Sequence, residues 1–562
     1  MNNFEIADNF SLLSKLMDIN GENTFKSKSY ASAAFNIEKL AFQLSDIPKE
    51  EIINIKGIGA SSGQKIIELL ETGSLNALQE IIAKTPGGVI EMLNIKGIGP
   101  KKISTIWKEM GIENIGELLY ACKENRLKLY KGFGEKTQQQ IIDTIAFYLN
   151  NQGSYLYPQV EAVLPQVSGY LEKLFGTGNV FLTGSYKRQE EIVEELAFVV
   201  AASNEAVKPK FLSANPPELL EETENSLLYK LMNGLKLRLY TGENDVAARV
   251  FNTSASVEFA ETFARHFPDV DFTGIKGNDD ETIFQQAGIA YIPVCARETA
   301  SVIDKAKTGA LLELIQTADI KGIIHSHSNW SDGSNTLEEM VAAAQAKGFQ
   351  YLVISDHSKS AFYANGLTEE RIAAQHQQID SINTTLQGFK LFKSIESDIL
   401  YDGSLDYSNS ILATFDLVIA SVHSILKMTE EKAMERLITA IENPYTTILG
   451  HMTGRLLLSR KGYPLDHHKI IDACAANGVV IELNAHPSRI DIDWRHIGYA
   501  LEKNVLISID PDAHTLEGFN DIKYGVLAAQ KALVSKAQNL SSMGLEDFSN
   551  FISQRKTSKG IL

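Results

Sequence analysis

The chain has 562 residues and a net charge of −17, from 53 Lys and Arg against 70 Asp and Glu. This length predicts about three to five domains, and the acidic balance argues against a simple basic nucleic-acid binder. No apolar run reaches the roughly 18–20 residues of a membrane span. The N-terminus has no signal-like segment and the three cysteines lie far apart. We therefore expect a cytoplasmic protein without membrane contact or a disulfide scaffold.

The charge is distributed unevenly along the chain. Residues 1–150 hold 17 Lys and Arg against 18 Asp and Glu, residues 151–320 hold 14 against 24, and residues 321–562 hold 22 against 28. The acidic surplus is thus concentrated in the middle, and the N-terminal part is nearly neutral. Histidine is skewed in a different way, because eleven of the twelve histidines follow residue 320.

A short sequence with two spaced glycines recurs in the N-terminal part. Residues 55–59 read Ile-Lys-Gly-Ile-Gly, residues 95–99 repeat them, and residues 130–134 are a weaker copy. Glycines allow a tight turn, and the N-terminus of the following helix offers free N–H groups to a phosphate. This helix-hairpin-helix pattern predicts binding to a DNA backbone without base reading, although ordinary helical hairpins are the alternative. The predicted contacts are Gly57, Gly59, Lys65, Gly97, Gly99, Lys101, Lys102, Gly132 and Gly134.

Residues 151–240 alternate helix-like and strand-like segments, and one strand-like run ends in a Gly184-Ser185 turn. We predict that residues 241–318 form a second small α/β segment. From residue 320 onward, apolar strand-like runs recur about every thirty residues with helix-like segments between them, which indicates parallel β/α units.

Nearly every C-terminal strand-like run ends in a polar side chain of the kind that binds metal. In β/α barrels the C-terminal ends of the strands converge on one mouth, so these side chains should meet in space. They are His325, His327, Asp332, Asp356, His357, Glu396, Asp398, His423, His451, Asn484, Asp512 and His514. Any single histidine is more simply a hydrogen-bonded core residue, but one at the end of nearly every strand argues for a metal site.

Six histidines with Asp and Glu, and without Cys, favour Zn²⁺, Mn²⁺ or Fe²⁺ over an iron–sulfur cluster or Ca²⁺. Their number exceeds one tetrahedral site and predicts two or three divalent ions. Such a cluster lowers the pKa of a bound water and clamps the oxygens of a phosphodiester. The histidines outside the strand-end pattern are read as surface or supporting residues: His376, His467, His468, His486 and His496.

The motifs around these residues are similar to those of the PHP (polymerase and histidinol phosphatase) domain, over about 240 residues. The resemblance implies a distorted seven-stranded β/α barrel with a trinuclear metal centre. It implies nine metal ligands: His325, His327, Asp332, His357, Glu396, His423, His451, Asp512 and His514. The implied catalytic residues are His325, His327, Glu396, Asp512, His514, Arg455 and Arg460. The two arginines are expected to contact phosphate, with an ion pair as the alternative.

Nearly the whole chain resembles the bacterial family X DNA polymerases. The resemblance implies a helical lyase-type domain (1–85), a fingers-like helix-hairpin-helix region (86–150), a nucleotidyltransferase-like palm (151–240), a thumb (241–318) and the PHP domain (319–562). Lys65 falls at the family's Schiff-base lysine, and a solvated helix lysine is the alternative.

The palm departs from the family pattern. Gly184, Ser185 and Arg188 are retained, but the positions of the three metal-binding aspartates read Glu195, Ala197 and Lys236. A slipped register restores at most one carboxylate. Because two-metal nucleotidyl transfer needs carboxylates, we do not expect Mg²⁺ there. We hypothesise that the ammonium of Lys236 beside Glu195 replaces a metal.

The combined expectation is a monomeric, DNA-binding repair protein that acts on gapped, nicked or 3′-end substrates. Its PHP domain would be a metal-dependent 3′-5′ exonuclease or phosphodiesterase, and its polymerase activity would be lost. Nicking at abasic sites is left open. The alternatives are an active gap-filling polymerase with PHP proofreading, a small-molecule PHP phosphatase and a non-catalytic DNA-binding scaffold.

Overall fold

The computed structural model describes the chain in nine ranges: 1, 3–40, 42–55, 57–95, 97–149, 153–211, 216–231, 234–309 and 313–561. Lys56 and Lys96 of the repeated turns lie outside the described residues. The chain divides into two compact units, Met1–Tyr148 and Leu149–Leu562. None of the described helices combines the length and the apolarity needed to cross a membrane.

The first unit is helical throughout its described residues. Apolar residues at helical spacing, such as Ile6, Phe10, Leu13 and Met17 of the first helix, are buried in its core. Its helices are α1 (Asn3–Asn20), α2 (Thr24–Glu38), α3 (Lys49–Ile52), α4 (Ala60–Thr72), α5 (Asn76–Lys84), α6 (Gly87–Glu91), α7 (Pro100–Lys108), α8 (Ile115–Lys123) and α9 (Glu135–Leu149).

The second unit begins with a five-stranded sheet. The strand order is β2-β4-β7-β6-β5, with β4 and β7 parallel and the other neighbours antiparallel, while β1 and β3 pair separately. The elements are β1 (Tyr155–Leu156), α10 (Tyr157–Phe175), β2 (Val180–Thr183), α11 (Gly184–Lys187), β3 (Ile192–Val193), β4 (Glu195–Val200), α12 (Asn204–Val207), β5 (Glu218–Thr223), β6 (Ser226–Lys230) and β7 (Lys236–Thr241).

The expectation of a small α/β segment over residues 241–318 is wrong. The described residues after Thr241 in this range form no strand, and their helices are α13 (Val246–Thr253), α14 (Val257–His266), α15 (Glu281–Ala287) and α16 (Ser301–Lys307). Phe259 and Phe263 are four residues apart, on one face of α14, and pack with Phe251 and Phe284 in one core. A spacing of four residues is typical of a helix. The proportion of apolar residues alone does not distinguish such a helix from a strand.

The rest of the second unit is a β/α barrel, as predicted. Seven parallel strands follow one another in chain order. The elements are β8 (Gly322–Ser326), α17 (Leu337–Ala346), β9 (Tyr351–Ile354), α18 (Glu369–Asn383), β10 (Lys390–Asp398), α19 (Asn409–Leu412), β11 (Leu417–Ser421), α20 (Glu430–Glu442), β12 (Thr446–Leu449), α21 (His467–Asn477), β13 (Val480–Asn484), α22 (Trp494–Glu502), β14 (Ile507–Asp510), α23 (Ile522–Lys531) and α24 (Leu545–Ser558).

The barrel is nearly closed between its first and last strands. Beyond β14, the carbonyl of Ala513 accepts a hydrogen bond from His327 N at 2.8 Å, and Ala513 N donates to His325 O at 3.3 Å. Strand residues are buried on both faces, as in parallel sheets covered by helices. A threonine side chain caps the N-terminus of α17, α18 and α20. These caps fix the points at which the loops after the preceding strands end.

A buried ion network joins the barrel to the preceding part of the second unit. The ammonium of Lys531, at the end of α23, lies 2.7 Å from Glu298 Oε1 and 3.1 Å from Glu190 Oε1, and donates to Arg188 O at 2.8 Å. The Lys531 side chain has no exposed surface. Arg188 Nε completes the network at 3.1 Å from Glu298 Oε1.

The substitution Lys531→Met should destabilise the second unit by about 3–5 kcal/mol, because it leaves Glu190 and Glu298 buried without their shared ammonium. Urea unfolding of the full chain, followed by tryptophan fluorescence, measures this. Lys523→Met is the matched control, because Lys523 is 44% exposed and pairs with Glu161 at the surface. Equal midpoints for the two variants would contradict a structural role for Lys531.

Candidate metal centre and DNA-binding turns

All nine ligands implied by the PHP resemblance meet at the C-terminal mouth of the barrel, and their side chains are buried. They form four groups whose ligand atoms lie within 4.8 Å of one another. The groups are His327, Asp332, His357 and His514; His325, His327 and Asp512; His325, Glu396 and His451; and His357, Glu396 and His423. Four residues belong to two groups each, so metal ions held by these groups would be close neighbours.

Glu396 of β10 is the central carboxylate. Its Oε1 lies 2.9 Å from His451 Nε2, 3.0 Å from His423 Nε2 and 3.3 Å from His325 Nε2. Its Oε2 lies 3.0 Å from His357 Nδ1. One carboxylate from the middle of the barrel thus contacts histidines that follow or lie in four other strands, an arrangement suited to bridging two ions.

Two aspartates complete the other side of the cluster. Asp332, on the loop after β8, places its carboxylate oxygens 3.5 Å from His357 Nε2 and 3.5 Å from His514 Nε2. Asp512 Oδ1 lies 3.2 Å from His327 Nε2. The separations at Asp332 exceed ordinary hydrogen bonds, whereas Asp512 and His327 are within hydrogen-bond distance. All of them suit atoms that ligate a common cation.

Several buried atoms of the cluster have no hydrogen-bond partner among the described residues. Buried polar atoms are nearly always paired, so this concentration of buried polar atoms without protein partners at one point fits a set of cation ligands. The atoms are His325 Nε2, His327 Nδ1, Asp332 Oδ2, His357 Nδ1 and Nε2, Glu396 Oε2 and His451 Nδ1. The donor set and these atoms therefore fit a metal centre.

Three cluster residues adopt a left-handed backbone conformation, with φ of 58° at His325, 21° at His451 and 52° at Asp512. Side-chain-bearing residues rarely have positive φ, and such strain is concentrated at functional sites. The surrounding barrel must hold these residues in place against their local preference.

The electrostatics of the cluster keep its carboxylates ionised. Burial opposes their charge, but the neighbouring histidines hold the pKa values of Asp332, Glu396 and Asp512 below their ordinary range. Burial and the nearby His514 and His357 lower the pKa of His327 to about 4. The ionised carboxylate is the form that binds metal ions.

Residues of β13 support the cluster, and sequence analysis missed one of them. Glu482 contacts His325 Nδ1 and accepts a hydrogen bond from His451 N at 2.6 Å. Asn484 Nδ2 donates to Asp512 Oδ2 at 3.0 Å. Both residues lie in one buried strand and two positions apart, hence on the same face. This polar alternation within an apolar strand is the signal that identifies Glu482.

Two other strand-end carboxylates act as supports and belong to none of the four groups. Asp398 Oδ1 lies 2.8 Å from His423 Nδ1, which orients that ring. Asp356 accepts hydrogen bonds from the backbone and hydroxyl groups of Ser328 and Ser331. It thereby holds the loop that carries Asp332.

The two arginines expected to contact phosphate are engaged within the protein. Arg455 Nη1 lies 2.6 Å from Asp493 Oδ2, so Arg455 makes the ion pair that was the alternative interpretation. Arg460 donates from Nε and Nη2 to Gly454 O, at 3.0 and 2.9 Å. A phosphate contact for either arginine stays a prediction.

Arg489, which sequence analysis missed, lies closer to the cluster. It is 4% exposed, and its Nε is 3.7 Å from Asp512 Oδ2. The remaining histidines take no part in the four groups: His467 stacks on His496, His468 stacks on Tyr499, and His376 packs edge-on against Phe415.

The three glycine turns of the first unit share one backbone geometry. Gly57, Gly97 and Gly132 have φ of 91°, 96° and 95°, which only glycine adopts readily. The apolar residue after each glycine is buried, and it anchors the turn in the core. An added Cβ at Gly59, Gly99 or Gly134 would meet nothing within 4 Å among the described residues, so these positions face open space.

The lysines predicted beside these turns lie on the helices that follow them. Lys65 is half-buried in α4, Lys101 is exposed on the first turn of α7, and Lys102 lies 5.6 Å from the ring of Phe133. The open glycines, the helix N-termini and these lysines form three similar turns suited to phosphate contacts.

The hypothesis that Lys236 is the counter-ion of Glu195 in the palm is wrong. Glu195 and Lys236 are direct neighbours on β4 and β7, but the cation that binds Glu195 is Arg238. Its Nε lies 2.9 Å from both Glu195 oxygens. Arg238 stands opposite Ala197 on the neighbouring strand, in the position diagonal to Glu195.

Other residues at the Gly184-Ser185 turn of the palm also make contacts within the protein. A Cβ at Gly184, which has φ of 75°, would lie 2.8 Å from the Ala197 Cβ, so the turn before Ser185 packs closely on β4. Arg188 binds Glu298 in the buried network. The convergent metal-binding groups among the described residues include no residue of this sheet.

Family models match three parts of the chain. A helix-hairpin-helix domain matches residues 1–75, a SAM-like helix-hairpin-helix tandem matches residues 89–146, and the PHP domain matches residues 324–486. The fold and the cluster thus define a helix-hairpin-helix protein with a C-terminal PHP barrel, and the helix-hairpin-helix domains imply DNA binding.

Similarity to individual proteins extends over more of the chain than the family models do. It is 29% identical to the DNA polymerase/3′-5′ exonuclease PolX of Bacillus subtilis, over 95% of this chain and 96% of that protein. A probable phosphatase of Acetivibrio thermocellus is 31% identical over 29% of this chain and 64% of that protein. One from Caldanaerobacter subterraneus is 28% identical over 34% of this chain and 74% of that protein. The chain is a homologue of the family X DNA polymerase PolX.

Glu482→Gln should weaken metal binding about 10–100-fold, because it removes the carboxylate that orients His325 and His451. Dialysis against graded chelator, with metal content measured by plasma mass spectrometry, tests this. Glu502→Gln is a control at the end of α22, outside the cluster. Unchanged metal retention in Glu482→Gln would rule out this supporting role.

Proposed function

We propose that the PHP barrel of this protein is a metal-dependent DNA phosphodiesterase that removes nucleotides from 3′ ends. The observation that carries this proposal is the contrast between the two sites of the second unit. The barrel brings nine ligand side chains together with unpaired buried acceptors. The palm retains one of three expected carboxylates, and a guanidinium binds it.

The chain's own residues define how the barrel would work. Two or three ions of Zn²⁺, Mn²⁺ or Fe²⁺, when bound, supply Lewis acidity and an activated water. His325, His327, His357 and Glu396 are each shared between two ligand groups and would hold these ions side by side. Glu482 and Asp398 orient the rings, and Arg489 adds a buried positive charge beside Asp512.

The helix-hairpin-helix turns would bind the backbone of gapped, nicked or 3′-ended DNA. Their open glycines and helix N-termini contact phosphates without reading bases. The proposal includes the five predicted domains, with boundaries after residues 85, 150, 240 and 318.

Two other functions have specific support. The Bacillus subtilis relative is named as a polymerase as well as an exonuclease, which favours an active gap-filling polymerase. Relatives that align only with the barrel are named probable phosphatases, which favours a small-molecule phosphatase. The bound Glu195 argues against the first, and the helix-hairpin-helix turns have no role in the second.

Incubation with Mn²⁺ should shorten a 5′-labelled primer, and His327→Ala should abolish shortening, because His327 belongs to two ligand groups. Denaturing gels with time courses measure this. His468→Ala, an exposed histidine that stacks on Tyr499, is the matched control. Shortening that survives His327→Ala would place the nuclease elsewhere, and activity on histidinol phosphate but not DNA would favour the phosphatase.

Primer extension with dNTPs should be absent, because Glu195 alone cannot hold two ions and Arg238 binds both of its oxygens. The assay uses a gapped template and the His327→Ala background, in which nuclease activity cannot hide extension. Extension that disappears in Glu195→Ala would overturn the proposed loss of polymerase activity.

A further inference from the structure

Four large apolar side chains of the barrel are exposed to solvent: Phe362 by 79%, Tyr401 by 58%, Ile425 by 54% and Leu458 by 44%. They are the only exposed large hydrophobic residues within the described part of residues 319–561. Each lies on a loop that follows a strand, after β9, β10, β11 and β12 in turn. All four therefore belong to the end of the barrel that carries the metal cluster.

Each of these side chains follows a cluster residue within seven positions along the chain. Phe362 follows His357, Tyr401 follows Glu396, Ile425 follows His423 and Leu458 follows His451. The helices and the opposite end of the barrel carry no equivalent among the described residues. Exposed apolar groups confined to the end of a barrel that carries its site favour a binding surface there, whereas scattered ones need no explanation.

Local preference does not explain two of these residues. Ile425 and Leu458 have φ of 55° and 60°, in the left-handed region, which is especially unfavourable for a β-branched side chain such as isoleucine. Their loops hold apolar side chains in solvent at a backbone cost and without the benefit of burial. Such strain is typical of a surface shaped for a ligand.

Lysines lie beside the apolar side chains, one of them on α20 and two on the same loops. Lys432 Nζ lies 4.1 Å from the centre of the Tyr401 ring. Lys427 and Lys461, which closely follow Ile425 and Leu458, are exposed. Apolar and aromatic surfaces interleaved with cations fit a nucleic-acid strand, whose bases stack on side chains and whose phosphates attract the ammonium groups.

We propose that Phe362, Tyr401, Ile425 and Leu458 form a base-binding rim that holds the terminal nucleobases of the DNA strand whose phosphodiester enters the metal centre. This inference rests on the proposed nuclease function. The rim makes the site specific for nucleotides that carry a base, whatever its identity, because every base has a π-face. Phe362, the most exposed of the four, is the principal stacking residue.

The test compares two 5′-labelled single-stranded oligothymidylates in the presence of Mn²⁺. One ends in ordinary nucleotides, and the other ends in two tetrahydrofuran residues that lack a base. Phe362→Ala should raise KM for the ordinary strand roughly tenfold or more while leaving KM for the baseless end within about twofold. Phe362→Trp should restore the ordinary value, because tryptophan also stacks. Val257→Ala, an apolar residue of the thumb segment that is 74% exposed, is the matched control and should change neither.

The possible results distinguish a failure of the base-binding rim from a failure of the proposed nuclease function. If Phe362→Ala affects both ends equally, or neither, while His327→Ala still abolishes shortening, the rim is overturned and the nuclease stands. If the wild-type chain shortens neither strand, the proposed function fails first. A loss of kcat without a change in KM would also contradict base stacking.

Discussion

The second unit depends on the compensation of buried negative charge at Glu396. An ionised carboxylate inside a barrel is stable only when cations or strong hydrogen-bond donors surround it. Here histidines from β8, and from the loops after β9, β11 and β12, converge on that one side chain. Two of these histidines, His325 and His451, are held in a left-handed backbone conformation. Glu482 and Asp398 extend the same compensation outward.

The carboxylate of the palm also needs a compensating positive charge, but there a protein side chain supplies it. Glu195 is a carboxylate on a sheet that would hold metal ions in a polymerase, but the guanidinium of Arg238 binds both of its oxygens. Arg188 beside the glycine turn is likewise bound to Glu298, which shares Lys531 with Glu190. Protein cations therefore satisfy the carboxylates of this region, and the network around Lys531 fastens it to the barrel.

Contact with DNA would be independent of sequence in both units. The glycine turns offer backbone N–H groups to phosphates, and the base-binding rim offers apolar faces to any base. This suits a protein that processes ends by their chemistry. The overall acidity does not oppose such contact, because the surplus lies mainly in residues 151–320.

The sequence by itself determined the repeated turns, the parallel barrel and a cluster of metal-type side chains at the strand ends, because each depends on local spacing. The set of nine ligands came from the resemblance to the PHP domain. Glycine pairs, strand periods and polar residues at strand ends are visible without coordinates. The sequence did not identify Glu482, Arg489 or the partner of Glu195, and it misjudged the helices after Thr241. These depend on which side chains face one another across strands and on how far each side chain reaches. Only the tertiary structure decided that Arg238, rather than Lys236, would bind Glu195, because the pairing of β4 with β7 and the directions of the side chains exist only in the folded sheet.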